Sequence, residues 1–487
     1  MYRPTNPQRS LFDAGGLLPP GKQERCKKTW AEAFRLHALP ILRKVEDEFA
    51  DLFDAQLGRP NRPVELVLGT LILKDMSDLT DEEALEHLDF DALWWWAFQR
   101  EPHELQLCQK TLHNFRTGLI REEKSGLAFR RVTEDLAKVL RVAAGQQRLD
   151  STHILSNIAL LTRLGLLCET IRLFLKDAKR VDPKAYSTLP AALLERHGEE
   201  SRYADARKEQ RPRRLEVVAR DVGRLIGAFE KNEAVKETEG WGLLQRLFKD
   251  QCRTTRTPRK PKKRDDDHGD GDVAVELKPA TEISSDSLQS PHDPDVTYSG
   301  HKGKGYSAQV METCSPENSV NLITAVALTP ACESDAKATV PMVKQAVEAG
   351  HAPTEVAADT AYSGAKNAAD LAKEGVNLLA PAPGPGKPEG GKTYPEPEAQ
   401  CPKSFLKSGD WLRCQEASSR FQERYAIRAG IEATNSELKR KHGLGRLRVR
   451  GEERVALALY FKALACNVKR ALKAWLSIAE EGALTPA

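Results

Sequence analysis

The sequence predicts an α/β protein: a mixed β-sheet, interrupted by a long helical insertion and preceded by an all-α N-terminal region. Three observations carry that prediction. Helical periodicity runs from about residue 24 to 145. The period changes at "RLDSTHIL", residues 148–155, a short β-rich run. After a second helical stretch, strand-like and helix-like segments alternate from residue 305 onward. At 487 residues the chain exceeds the size at which a single core stops growing, so two or three domains are expected. The boundaries read as an N-terminal helical domain at 1–145, an α/β domain at 146–475 interrupted by a helical insertion at 156–251 and a charged linker at 252–292, and a tail at 476–487.

Taken in order, "LTDEEALEHL" places an acid-rich first turn after Thr80, as a helix N-terminus prefers. "LWWWAF", residues 93–98, sends adjacent Trp side chains in different directions, which suits helix packing better than a base-stacking platform. "QKTLHNFRTGLI" puts Leu112, Phe115 and Leu119 on a buried stripe and leaves Lys110, His113, Asn114, Arg116 and Thr117 outward. That polar set suits DNA phosphates and base edges, and equally an ordinary amphipathic surface helix. In the insertion, Leu215, Val218, Val222, Leu225 and Phe229 step by three and four, an apolar stripe for helix packing. "RTTRTPRKPKKRDDDHGDGD" then joins a basic block to an acidic one without apolar periodicity and reads as a solvated linker.

"GYSAQVMETC" and "NLITAVALTP", separated by the turn-rich "SPENS", form a hairpin candidate. Ser334 is the expected cap of a helix ending at Gly350, "TEVAAD" is a strand, Ser363 is the expected cap of "GAKNAADLAKEG", and "VNLLAPAP" is another strand. Residues 382–404 are rich in Pro and Gly and irregular. Two helices close the chain, the second being "EERVALALYFKALACNVKRALKAWL" with an apolar packing face.

Composition excludes several classes. With 40% hydrophobic and 30% charged residues the chain is neither disordered nor membrane-embedded. "LVLGTLIL" is too short to span a bilayer, and the run from 158 is broken by Arg163, Glu169 and Arg172. "MYRPTNPQRS" lacks the apolar centre of a signal peptide, so the expected location is the cytoplasm, with no membrane partner. The nine cysteines form no framework and are expected reduced; no CxxC accompanies Cys401 and Cys414, which weighs against a zinc site there.

Charge is concentrated late in the chain. Residues 420–450 hold nine Lys or Arg against Glu423, Glu432 and Glu437, whereas the net charge of the whole chain is only +4. Read as one helix, Tyr425, Arg428, Glu432 and Lys439 share a face. An Arg428–Glu432 pair on a solvated helix would contribute only about 0.2–0.5 kcal/mol. Two further acids sit where chemistry is usually placed: Asp150 in the first strand and Asp359 at the end of "TEVAAD". With the insertion set aside, the order of strands and helices brings Asp150, Asp359 and Glu432 toward one place on a mixed sheet.

The spacing Y-x2-R-x3-E-x6-K, filled by Tyr425, Arg428, Glu432 and Lys439, resembles the signature of the bacterial insertion-sequence DDE transposases. "LDSTHI" around Asp150, "ADTAYSG" around Asp359 and "DPDVTYSGHKGKGYSAQV" at 293–310 are similar to other segments of that family, over about residues 25–475. The resemblance implies a ribonuclease H-like catalytic core, a DNA-binding N-terminal domain, and catalysis by Asp150, Asp359 and Glu432. These would hold two Mg²⁺ or Mn²⁺ ions, since hard cations take carboxylate oxygens and a metal pair stabilises both oxygens of a phosphodiester displacement. DNA is the implied partner, at element ends and target, with Lys110, Arg116, Arg428, Lys439, Arg440 and Lys441 as phosphate contacts, and pairing of two ends implies a homodimer or higher multimer. Glu432, among basic residues, stays ionised. Tyr425 either donates to a phosphate or packs. His153, His301, Lys302 and Lys304 are secondary candidates near the substrate, each equally explained as an ordinary strand or turn residue.

Overall fold

The computed structural model describes residues 1–4, 18–54, 56, 58–256, 273–383, 412–413, 416 and 420–484. Cys401, Cys414 and most of the Pro/Gly-rich tract lie outside the described residues. The fold is mixed α/β. Its main sheet has six strands: β1 (Gln146–Ile154), β4 (Thr297–Ser299), β5 (Gly303–Thr313), β6 (Ile323–Pro330), β7 (Glu355–Ala358) and β8 (Asn377–Leu379). The long path runs β6-β5-β1-β7-β8, with β4 pairing the start of β5. β1 is antiparallel to β5 and parallel to β7, and β7 is parallel to β8. The "SPENS" hairpin forms as expected, with a bulge at Met311/Glu312 on β5.

Two capping expectations are corrected. A 3₁₀ turn, Asp335–Lys337, follows Ser334, whose side chain makes no cap bond, before the Thr339–Glu348 helix begins. Gly364 rather than Ser363 sits at the N-cap of Ala365–Lys373, because the Ser363 hydroxyl donates back to the Thr360 carbonyl at 3.0 Å. Thr80 does cap Asp81–Phe90, in a reciprocal capping box with Glu83.

The helices before residue 146 share one apolar core with the last helix, Glu452–Leu484, and with part of the sheet: Phe34, Leu68, Phe129, Ile323, Val326, Leu464 and Val468 belong to a single buried cluster. Helix thus gives way to strand at 146 without a break in the core. The insertion has a core of its own, built on the predicted stripe: Val218, Val222, Leu225 and Phe229 are buried with Phe174, Trp241 and Leu244. The span expected as a charged linker contains, among its described residues, a two-stranded hairpin of β2 (Cys252–Arg256) and β3 (Val273–Leu277). The last helix continues through the expected tail to Leu484.

Candidate active site

Asp150 and Asp359 become neighbours through strand register. Leu149 of β1 pairs in parallel with Ala358 of β7, so the next residue on each strand is an acid. Leu149 and Ala358 are fully buried on one face of the sheet. Side chains alternate, so both acids turn to the other face. Asp359 ends its strand in an Asx turn, in which the Ala361 amide donates to Oδ1 at 2.8 Å.

The Gly430–Lys441 helix lies across that face. Ile431, Thr434 and Leu438 are buried beneath it, and its docking is set by a buried ion cluster. Glu312 on β5, fully buried, accepts from Arg148 Nε at 2.7 Å, from Thr434 Oγ1 at 2.8 and 2.7 Å, and from Arg470 Nη1 at 3.0 Å. Arg470 also donates to Glu437 of the same helix at 2.9 Å. Arg148 continues past the helix start to the Ile427 carbonyl at 2.9 Å. It passes where a Cβ on residue 430 would stand, so Gly430 is required by close approach.

The continuous helix expected through 425–439 is corrected by the same contact. The segment is Phe421–Tyr425 in α-helix, Ala426–Ala429 in a 3₁₀ turn, then Gly430–Lys441 in α-helix. The turn tightens where Arg148 takes the Ile427 carbonyl. Tyr425 stacks on Phe421 at 5.1 Å between ring centroids and packs beside Ala357 and Leu379.

The outcome is convergence on Arg428. Its guanidinium lies 3.4 Å from Asp150 Oδ1, 3.7 Å from Asp359 Oδ2 and 3.3 Å from Glu432 Oε1. Three acids spread over 282 positions of chain (432 − 150) therefore share one cation. Their exposure is graded: the side chains of Asp150, Asp359 and Glu432 are 14%, 37% and 68% accessible. Burial holds the Asp150 carboxyl above the usual carboxylate range, Arg428 opposes that, and the Asp359 charge adds to it.

Asn435, which the sequence reading did not single out, donates to Asp150 Oδ2 at 3.2 Å. The available signal was its position three residues after Glu432, on the same helical face. Beside Asp150, the Ser151 hydroxyl lies 3.0 Å from both Asp335 Oδ2 and Lys302 Nζ, and Gln309 donates to Asp335 Oδ1 at 2.8 Å. Lys302 therefore does approach the site. Lys304 turns away, donating to the Leu161 and Gln289 carbonyls, and His153 bonds the Lys304 carbonyl at 3.1 Å.

The remaining predicted contacts are spread out. Lys439, Arg440 and Lys441 are exposed at the end of the Gly430–Lys441 helix, Lys441 within 3.7 Å of Glu437. Lys110 is exposed on the Gln109–Arg121 helix. Arg116, on the same helix, forms a two-pronged ion pair with Asp81 and lines a groove of about 600 Å³ with Arg448, Arg450, Arg454 and Lys462. No helix among the described residues is long and apolar enough to cross a membrane.

Comparison with known families gives two matches. Residues 280–468 match the transposase DDE domain, and residues 32–118 match a transposase domain of otherwise undefined function. The first stretch contains Asp359, Arg428 and Glu432, the second Lys110 and Arg116, and Asp150 lies between the two. No curated protein and no solved structure matches the chain.

Proposed function

The chain belongs to the DDE transposases of insertion sequences, and from that premise we propose that it binds the terminal inverted repeats of its element, cleaves the DNA by metal-dependent hydrolysis and joins the freed 3′-hydroxyl end to target DNA. The observation that carries this reading is the gathering of Asp150, Asp359 and Glu432 within 3.7 Å of one guanidinium. Strand order β6-β5-β1-β7-β8, with three antiparallel strands followed by two added in parallel, supports a ribonuclease H-like core around them.

The donor set suits hard divalent cations: it is all carboxylate oxygen, and two of the three acids are open to solvent. Asp150, Asp359 and Glu432 would hold two Mg²⁺ or Mn²⁺ ions, which when bound supply Lewis-acid stabilisation of the attacking and leaving oxygens. The chain's own residues orient and bind. Asn435 fixes the Asp150 carboxylate, and the Ala361 amide fixes that of Asp359. Arg428 offsets part of the carboxylate charge and offers a fork for a phosphate, while Lys439, Arg440 and Lys441 continue the positive track along the DNA. Tyr425 borders the acids from its apolar seat. Lys110 and Arg116 contact DNA away from the cleaved bond, and two copies of the chain pair two element ends.

Incubating the purified protein with Mg²⁺ and end DNA tests this. Joined products are expected. Cuts without joining would mark a nuclease of the same fold, and retention without cutting a DNA-binding protein. Asp359→Asn is expected to keep DNA binding and abolish cleavage, and undiminished cutting by that variant would remove Asp359 from the site.

A further inference from the structure

We propose that Glu437, His442 and Cys466 form a second metal site, chemically distinct from the three carboxylates, that takes a single Zn²⁺ ion. The donor atoms of these three side chains all lie within 4.8 Å of one another. They come from the Gly430–Lys441 helix, the residue that ends it, and the middle of the last helix. A nitrogen, a sulfur and a carboxylate oxygen make a borderline-soft set that suits Zn²⁺ and that Mg²⁺ avoids.

The second observation is the state of His442. The residue is fully buried, and its Nδ1 lies 2.9 Å from the Asp75 carbonyl. A carbonyl only accepts, so Nδ1 carries the hydrogen and Nε2 holds a lone pair. That Nε2 is buried and has no hydrogen-bond partner among the described residues. An imidazole whose Nδ1–H is tied to a backbone carbonyl while Nε2 is left free is the arrangement that metal-ligating histidines use to fix tautomer and direction.

Cys466 completes the case. Its thiol is fully buried, with its sulfur within 4.8 Å of a Glu437 carboxylate oxygen. On ligation the thiol proton leaves for solvent, and the thiolate and the Glu437 oxygen bind the ion. Glu437 also lines a cavity of about 590 Å³ with Lys441 and Arg470, so a fourth, solvent ligand would enter from the Glu437 side. Of the nearby cations, Arg470 pairs with Glu312 and Glu437 and Lys462 with Asp75 and Asp78, while Lys469 donates to the Met76 carbonyl at 2.7 Å. The ion would lock the helix that carries Glu432 to the last helix and, through the Asp75 carbonyl, to the Val64–Met76 helix.

Full-length protein purified without chelator is expected to carry about one zinc per chain. Replacing zinc by Co²⁺ is expected to produce a thiolate-to-cobalt charge-transfer band. C466A and H442Q should lose both, while a D150N/D359N/E432Q variant keeps both. A folded protein with no zinc above the buffer blank and no cobalt band overturns the proposal. So does a band that persists in folded C466A, or one that disappears with the three catalytic acids. If C466A does not fold, zinc X-ray absorption of the wild-type protein decides: a sulfur shell beside light-atom ligands is expected, and its absence overturns the assignment.

Discussion

Glu312 touches none of the three converging acids, yet its replacement by Gln is expected to cost both stability and catalysis. Its carboxylate is fully buried and accepts from Arg148 at 2.7 Å, from Arg470 at 3.0 Å and from the single Thr434 hydroxyl, which lies 2.8 and 2.7 Å from its two oxygens. The side chains of Arg148 and Arg470 are themselves only 12% and 17% accessible. Glutamine keeps the shape and one acceptor but removes the charge, leaving the buried Arg148 guanidinium without its ion-pair partner. Breaking one side of a buried pair costs about 3–5 kcal/mol. E312Q is therefore expected to lower the free energy of unfolding, read from the midpoint of denaturant titration, by about that amount. Thr434 and Arg470 tie Glu312 to the helix that bears Glu432 and Asn435, so metal-dependent cleavage should fall even where the protein remains folded. A double-mutant cycle with R148M should return a coupling of about 0.5–3 kcal/mol. A change within about 0.5 kcal/mol, typical of a surface substitution, together with unchanged cleavage, would refute the claim that this cluster positions the helix.

Further expectations follow from the same geometry. In G430A the new Cβ would fall on the Arg148 guanidinium, so a loss of about 1–3 kcal/mol by overpacking and reduced cleavage are expected; wild-type denaturation and activity would show that the helix start has room. In R428M the one cation shared by the acids is gone, and the Asp150 carboxyl, already raised by burial, rises further. The acid limb of the cleavage–pH profile should move to higher pH, and an unmoved limb would separate Arg428 from the titration. In the insertion, burial alone would raise the Asp221 carboxyl, but bonds from His197 at 3.1 Å and Arg196 at 2.9 Å more than reverse it and leave it below the usual range. Its stabilisation is complete above the unfolded carboxylate value of about 3.9 and is lost as pH falls through the folded one. D221N should cost about 3–5 kcal/mol at neutral pH and flatten that acid dependence, as checked by near-ultraviolet circular dichroism of the insertion tryptophan Trp241.

Much of the site was legible because its local signals are strong. The β-rich run "RLDSTHIL", the hairpin around "SPENS" and the strand "TEVAAD" placed Asp150 and Asp359 on strands, and parallel pairing of Leu149 with Ala358 then made them neighbours. Glu432 was legible from charge density and spacing. The break at Ala426–Ala429 was not, because it depends on Arg148, 279 positions away from Ile427 in sequence. The Ser363 cap failed for a local reason that composition does not encode: a hydroxyl can satisfy either the helix start ahead of it or the carbonyl three residues behind. Asn435 went unnoticed because an amide on a polar helix face has no special signature until a strand is placed beneath it.

Periodicity marked both helical regions without telling them apart, and the difference lies in what each buries. The helices before residue 146 put Leu68, Phe129 and Val132 into the same core as Ile323 of β6 and Leu464 of the last helix, so they brace the sheet that carries the acids. The insertion buries Phe174 against Phe229 and Trp241, at 5.3 and 5.9 Å between ring centroids, within a separate core. It leaves the sheet just after β1 ends at Ile154 and rejoins it at β4 and β5. Damage to the insertion core should therefore remain within the insertion, whereas a cavity at Phe129, next to Tyr460 of the last helix, should reach the face that carries the three acids through the helix that holds Arg470. Two helical patterns thus carry unequal consequences, because a hydrophobic stripe records that a helix is covered and not which partner covers it.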